Sequence, residues 1–210
     1  MNRKQLFWWL GVLYSDGYLY HKGGKIREIR LRVSKSSLEM LLKWKKILDS
    51  LTRKDHRVLV EHMYDGRYDR HFDQYLIREA SGKCIASVMD KFSKFGADLN
   101  TFQPPPSAFM NKPLAGAYLA GVIDGDGCIQ LRKNYADSHL ETLLKISTNV
   151  KAPLVHLQKL FLSVGLPRGY ITEYPGHCDL WLYLGKDSRE WFKKFVCSEL
   201  AIKRKSYRIK

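Results

Sequence analysis

Two aspartates stand at matching places in the chain, each followed by glycine. Asp16-Gly17 closes the segment Trp9-Leu-Gly-Val-Leu-Tyr-Ser-Asp-Gly17, and Asp126-Gly127 closes Leu119-Ala-Gly-Val-Ile-Asp-Gly-Asp-Gly127, an offset of 110 residues (16 to 126). Each segment reads as the end of a helix. In the second, Ala117, Gly121 and Gly125 recur every four residues; in the first, Phe7, Gly11 and Ser15 hold the matching stripe. Small residues at helical spacing let two backbones approach closely. The two helices are therefore expected to pack side by side, with Gly17 and Gly127 terminating them. Asp16 and Asp126 would then meet at helix ends that are already partially negative. That placement is unfavourable without a cation. Paired carboxylates beside backbone carbonyls make a hard oxygen site suited to Mg2+, and two-metal sites of this kind hydrolyse phosphodiesters by activating water and stabilising the leaving oxygen. One Asp-Gly after a helix is often only a turn; two symmetric ones on small-striped helices favour the catalytic reading.

The elements around these segments repeat as well. A short alternating stretch follows each motif, then a second: Glu28 to Ser34 in the first half and Leu143 to Ser147 in the second. In the former, Ile29, Leu31 and Val33 point one way while Arg30 and Arg32 point the other, which predicts a half-buried strand with a cationic open face. An amphipathic helix follows in each half, through Leu41, Trp44, Ile47, Leu48 and Leu51 and through Leu154, Leu157, Leu160, Phe161 and Val164. The lag there is three residues longer, which a longer hairpin around Asn134 to His139 would absorb. Strands near 57–63 and 72–78, and near 169–173 and 179–184, flank the turn residues Asp65-Gly66 and Pro175-Gly176. Helices near 83–95 and 188–200 close the halves. Each half thus reads α-β-β-α-β-β-α, with residues 1–97 as the first repeat, 98–113 as a linker whose Pro104-Pro-Pro106 makes it stiff and extended, and 114–210 as the second. Two such halves imply a pseudo-twofold axis.

The charge suits a polyanionic partner. Lys and Arg number 36 against 21 Asp and Glu, a net charge of +15, while 45% hydrophobic residues exclude a disordered basic tail as the whole chain. No apolar run reaches the roughly 18 residues of a membrane span. Arg3 and Lys4 before the apolar stretch from Leu6 to Tyr14 mimic a signal peptide, but no small-residue cleavage site follows. Cys84, Cys128, Cys178 and Cys197 have no metal-binding spacing, so a reduced intracellular protein is expected, in prokaryotic cytoplasm or an organelle matrix.

At Leu119 to Gly127 the sequence resembles the signature of the LAGLIDADG homing endonucleases, and Trp9 to Gly17 is a looser copy. The resemblance implies an α+β homing endonuclease fold: a monomer, or pseudo-dimer, whose two sheets form a DNA-binding saddle. It implies cleavage of both strands of a long, nearly palindromic duplex by metal-dependent hydrolysis, with two or three divalent cations, Mg2+ in function and Mn2+ or Ca2+ as substitutes for binding. Carried onto this chain, the metal ligands are Asp16 and Asp126, with carbonyls from Ser15 and Gly125. Lys35, Thr148 (beside Asn149) and Lys203 become further candidate catalytic residues that organise water and stabilise the phosphate. Lys203 could equally be a phosphate contact or a solvated lysine in the run from Lys203 to Lys210. The open strand faces would read DNA through Tyr18, Tyr20, Arg30, Arg32 and the hairpin tip Arg67, Tyr68 and Arg70 in the first half. In the second they would use Gln130, Arg132, Lys145, Arg168, Tyr170, Trp181 and Tyr183. Lys43, Lys45 and Lys46 read as a polar helix face. Two departures stand out: Tyr14 replaces the acidic residue that Asp124 keeps, and Trp9-Leu10 replaces the usual Leu-Ala, so the first helix is expected to pack differently about its axis. Alternative readings are an intron RNA maturase and a catalytically inactive DNA-binding protein. No intein splicing residues frame the chain, so an intron-encoded frame is expected.

Overall fold

The computed structural model describes residues 1–133 and 140–209; the longer hairpin expected around Asn134 to His139, and Lys210, lie outside the described residues. The first half runs α1 (Arg3–Ser15), β1 (Gly17–Lys22), β2 (Lys25–Ser34), a 3-10 turn (Lys35–Ser37), α2 (Leu38–Thr52), β3 (Leu59–Asp65), β4 (Arg70–Glu79) and α3 (Gly82–Ser93). A short α4 (Pro106–Met110) leads into the second: α5 (Lys112–Asp124), β5 (Gly127–Lys133), β6 (Leu140–Thr148), α6 (Lys151–Ser163), β7 (Tyr170–Tyr174), β8 (His177–Tyr183) and α7 (Lys186–Phe192). α7 continues as a π-turn over Lys193–Cys197, and α8 (Lys203–Ser206) follows. The strands form two four-stranded antiparallel sheets of identical order, β1-β2-β4-β3 and β5-β6-β8-β7. The alternation read in the sequence is visible in β2, where Ile29, Leu31 and Val33 are buried against the helices and Arg30 and Arg32 lie on the opposite face.

α1 and α5 form the centre. α1 begins in a capping box: Asn2 Oδ1 accepts from the Gln5 N–H at 2.9 Å, and the Asn2 N–H donates to Gln5 Oε1 at 2.9 Å. α5 begins at Asn111, whose side chain accepts from the Leu114 N–H at 3.0 Å, with Pro113 in the first turn. Every residue from Leu6 to Leu13 and from Leu114 to Asp124 is buried. Helices apolar all round belong inside a protein, so these two are the shared core of both halves rather than a layer of either.

Trp9 leaves the helix pair undisturbed. It turns outward and stacks between Trp44 at 4.8 Å and Phe92 at 5.2 Å, inside the layer of α2 and α3. The expected change of packing about the axis is thus confined to the outer side of α1. The segment between the halves is not extended throughout. Turns at 99–102, with Phe102 at φ 54, and α4 fold it against the core, because Pro106 at the start of α4 fits a first helical turn as well as an extended chain.

Candidate active site

Gly11 and Gly121 set the approach of α1 to α5. A Cβ on Gly11 would stand 2.2 Å from the Tyr118 carbonyl oxygen, and one on Gly121 would stand 2.1 Å from that of Trp8. Further along, a Cβ on Gly125 would stand 2.1 Å from Ser15 Oγ and 3.3 Å from the Asp16 carboxyl carbon. The two helix ends are therefore in backbone contact, and only residues without a side chain permit it. Gly17 and Gly127 are not the left-handed helix terminators expected from the sequence. Asp16 and Gly125 are the C-caps, and the two glycines open β1 and β5. Their lack of a Cβ answers to crowding: one on Gly17 would lie 2.4 Å from the Leu13 carbonyl oxygen, and one on Gly127 would lie 2.5 Å from the Ile123 Cα.

At the foot of this contact the Asp16 and Asp126 carboxyls come close enough to act on each other's ionisation. Burial against the helix ends pushes Asp16 up from its ordinary pKa, while the Lys205 ammonium and the bond with Asp126 pull it down. Asp126 is pushed to about 7, first by burial and then by the Asp16 charge, against the pull of Lys205. Two carboxyls this close cannot both ionise freely, so the pair holds a proton near neutrality.

Lys205, rather than Lys203, is the lysine at this site. Its Nζ donates to the carbonyls of Ile123 at 2.5 Å, Asp124 at 2.8 Å and Gly125 at 3.4 Å, and its charge acts on Asp124 and Asp16. Lys203 turns away and donates to the Leu200 carbonyl at 3.1 Å. The difference arises at Asp124. Its buried carboxylate accepts from the Ala201 N–H at 2.7 Å, the Ile202 N–H at 3.0 Å and the Trp8 indole N–H at 2.8 Å, clasping the segment after the π-turn onto the end of α5. From that anchor α8 brings Lys205 inward. Tyr14, at the equivalent place in the first motif, donates its hydroxyl to the Asp98 carbonyl at 2.9 Å, so the departure from an acid preserves an anchoring role.

The other expected residues divide. Thr148 and Asn149 come beside the pair: with Ser15, Asp126, Ser147 and His177 they line an open groove of about 490 Å3. Ser15 turns its hydroxyl back to the Gly11 and Val12 carbonyls at 3.0 and 3.2 Å. Lys35 stands exposed at the start of the 3-10 turn and, among the described residues, shares no hydrogen bond with either aspartate. Lys43 is no mere polar-face lysine. It lies 4.0 Å above the Trp8 ring and donates to the Glu199 carbonyl, and burial lowers its pKa to about 8.

The open faces of the two sheets differ in chemistry. In the first, Arg30 lies 4.5 Å over the Tyr18 ring and 3.6 Å from Glu28, and Arg32 pairs with Glu61 at 2.6 Å. Arg67 pairs with Asp65 at 3.2 Å, and Arg70 lies 5.2 Å over Tyr68. In the second, Lys145 pairs at 2.8 Å with Asp179, which Lys145 and Ser147 cover almost completely. Tyr170 stacks on Trp181 at 6.4 Å, Tyr20 and Tyr183 are exposed, Arg132 and Arg168 are exposed, and Gln130 is half-buried beside Cys128. The face is thus less uniformly cationic than expected, because Glu28, two residues from Arg30 on β2, and Glu61 and Asp179 on other strands stand among the cations. Arg78, opposite Arg30 on β4 and exposed, belongs to the same face; the alternation of its strand was a usable signal for it. Nothing comparable pointed to His177.

The LAGLIDADG-like domain family matches residues 113–197. Among solved structures, the homing endonuclease I-WcaI bound to its DNA recognition sequence superposes with a TM-score of 0.64 at 11% identity, over 100% of this chain and 87% of that one. I-DmoI in complex with DNA and Mn gives 0.55 at 16% identity, over 95% and 100% of the two chains. Full-length WhiA from Thermatoga maritima gives 0.57 at 16% identity, over 99% of this chain and 60% of that one. No curated protein matches the chain by sequence. The second half contains a LAGLIDADG-like domain, and the chain as a whole has the homing endonuclease fold.

Proposed function

We infer that this chain, built on the LAGLIDADG homing endonuclease fold, is a site-specific double-strand DNA endonuclease acting as a monomer on a long, nearly palindromic site. The observation that carries the reading is the close pair Asp16–Asp126, each acting on the other's ionisation, held where two helix ends meet between two open, arginine- and aromatic-bearing sheets. The donor set fits a hard divalent cation such as Mg2+. Two carboxyls strained by mutual repulsion gain from a cation between them, and the Ser15 and Gly125 carbonyls add oxygen donors. Among the described residues no cluster of three His, Cys, Asp or Glu side chains forms a closed cage, which suits an ion that keeps several waters and shares phosphate oxygens. Such an ion would supply an activated water and charge stabilisation at the leaving oxygen.

The chain's own groups do the rest. The sheets bind the duplex and fix its register, Asp16 and Asp126 hold the cations, and Lys205 adds a positive charge where phosphate charge develops. Thr148 and Asn149 offer hydrogen bonds to water or phosphate in the groove beside Asp126. The test is cleavage selection from a random duplex library with Mg2+, followed by the Asp16→Asn and Asp126→Asn variants on the recovered site. Both variants should lose double-strand cutting; full cutting by both overturns the reading. Among the described residues no helix is long and apolar enough to cross a membrane.

A second reading has one observation in its favour. A cleft of about 760 Å3 between the end of α2 and α3, on the helical side away from the open sheet face, is lined by Arg53, Lys83 and Lys91, with Lys54 paired to Glu79 and Lys94 paired to Asp90 beside them. It offers phosphate contacts to an intron RNA without involving the aspartates. Loss of RNA binding in a Lys83→Glu/Lys91→Glu variant that still cuts DNA would support a maturase role beside cleavage; unchanged binding would remove it.

A further inference from the structure

Asp179 places a negative charge on a face that otherwise suits a polyanion. The pairing of β8 with β6 sets it on the open side of the second sheet with Trp181, Lys145 and Ser147. Its carboxylate accepts from the Lys145 ammonium at 2.8 Å and from Ser147 Oγ at 2.7 Å, with His177 Nε2 at 4.0 Å. Burial pushes the carboxyl up, but the bonds from Lys145 and Ser147 outweigh it and hold it below its ordinary range, so it stays charged.

The first sheet shows that the fold does not require an acid there. Leu31 faces Gly17 as Ile146 faces Gly127. Arg32 opposite Leu76 therefore corresponds to Ser147 opposite Asp179, and Arg30 opposite Arg78 to Lys145 opposite Trp181. Leu76 and Asp179 are equally enclosed, each 1% exposed. A buried carboxylate in an ion pair adds little stability over a well-packed apolar residue, and beneath DNA its charge opposes binding. Its effect falls instead on Lys145. An untethered lysine is a flexible point charge that phosphates attract wherever they lie. Here the bond to Asp179 takes one of three N–H donors, the ammonium rests 5.1 Å over the Trp181 ring, and the side chain stays 26% exposed. Resting on the duplex-binding part of the endonuclease reading, we propose that Asp179 is a positioning residue for sequence recognition, which holds Lys145 to a base edge so that Lys145 reads a guanine in the half-site under the second sheet. Guanine offers two adjacent acceptors, O6 and N7, in the major groove, where adenine sets a donor beside N7. Lys145 stands two residues, about 7 Å, along β6 from Ser147 at the rim of the groove that holds Asp126, which puts the guanine near the middle of the site.

Binding rather than cutting is the readout. Duplexes retained by the wild-type chain in Ca2+ are selected from a random library, and affinity is measured for every single base-pair change in the selected site. The wild-type chain should prefer guanine at one position by about five- to a hundredfold. Lys145→Met should erase that preference at that position alone. Asp179→Asn and Asp179→Leu should erase it too, yet hold or raise affinity for the other duplexes. Their plots of log affinity against log salt should steepen by about one unit, as the released Lys145 turns to a phosphate. Asp179→Leu places at this position the residue type that fills the equivalent place in the first sheet, and thermal melts report whether each variant is folded. A folded Asp179 variant that keeps the guanine preference overturns the proposal. So does affinity that falls evenly for every duplex, or failure of both Asp179 variants to fold, since each marks the carboxylate as a brace for the sheet. Sequence-selective binding without cutting leaves the proposal standing and removes the endonuclease reading; no selected duplex for the wild-type chain removes both.

Discussion

Replacing Gly121 with alanine probes the contact on which the carboxylate pair depends. The added Cβ would sit 2.1 Å from the Trp8 carbonyl oxygen and 2.8 Å from the Val12 nitrogen, both backbone atoms within α1. No side-chain rotation relieves such a clash, so α1 and α5 must separate by about 1.3 Å to restore ordinary contact at 3.4 Å. Overpacking of a well-filled core costs about 1–3 kcal/mol, and for a chain of this size each kcal/mol lowers Tm by about 2–4 °C. Thermal unfolding should therefore move down by about 2–12 °C. The same displacement parts the Asp16 and Asp126 carboxyls, and a misplacement of about 1 Å costs on the order of a hundredfold in rate. Circular dichroism melts and cleavage of the selected duplex read the two effects. Gly82→Ala, at a helix position with nothing within 4 Å of the new Cβ, is the control and should match or exceed the wild-type Tm. A Gly121→Ala protein that melts with the control and cuts at the wild-type rate would refute the reasoning.

Three further outcomes follow from the charges. Burial pushes the Glu79 carboxyl up, but bonds from the Ser81 N–H at 2.6 Å, His56 at 2.8 Å and Lys54 at 3.1 Å outweigh it and bring the carboxyl down to about 2. Glu79 therefore contributes about 3 kcal/mol above its unfolded pKa that is lost as pH falls from about 4.5 to 2; a Glu79→Gln protein should lack that part of the acid transition, and parallel curves would contradict it. Asp126 has the opposite sign. Its folded pKa of about 7 lies above the ordinary value, so without divalent cation stability declines as pH rises from about 4 to 7, and Asp126→Asn should raise Tm at pH 8 while abolishing cutting; a lower Tm would count against a repulsive pair. Duplex affinity should fall steeply with salt, as neutralising many phosphates requires, and a flat titration between 50 and 200 mM salt would exclude the saddle as the binding surface.

What could be read in advance was what is encoded locally. Gly11, Gly121 and Gly125 announce a close helix approach by their spacing alone, and that approach places Asp16 and Asp126 together. Strand alternation likewise exposes Arg30 and Arg32. What could not be read depends on contacts between distant parts of the chain. Lys203 and Lys205 are indistinguishable in a basic run until Asp124, far away in sequence, grips Ala201 and Ile202 and sets the phase of α8. Trp9 looked like an intruder in the helix pair because its slot between Trp44 and Phe92 is built by other elements. The burial of Asp179 likewise depends on the register of β6 with β8, which sets Lys145 and Ser147 over it.

The buried central helices also bear on what the connection between the halves is for. α1 and α5 are each enclosed along nearly their whole length, and each relies on the other for that enclosure. A separated half would expose a glycine-lined apolar stripe to water and carry a single aspartate of the pair. The tether between 98 and 111 thus adds to its packing against the core an effect on effective concentration, keeping two incomplete partners at intramolecular density. Once docked, the pair owes its alignment to the glycine contact, and a backbone break within the tether would leave the assembled halves in register.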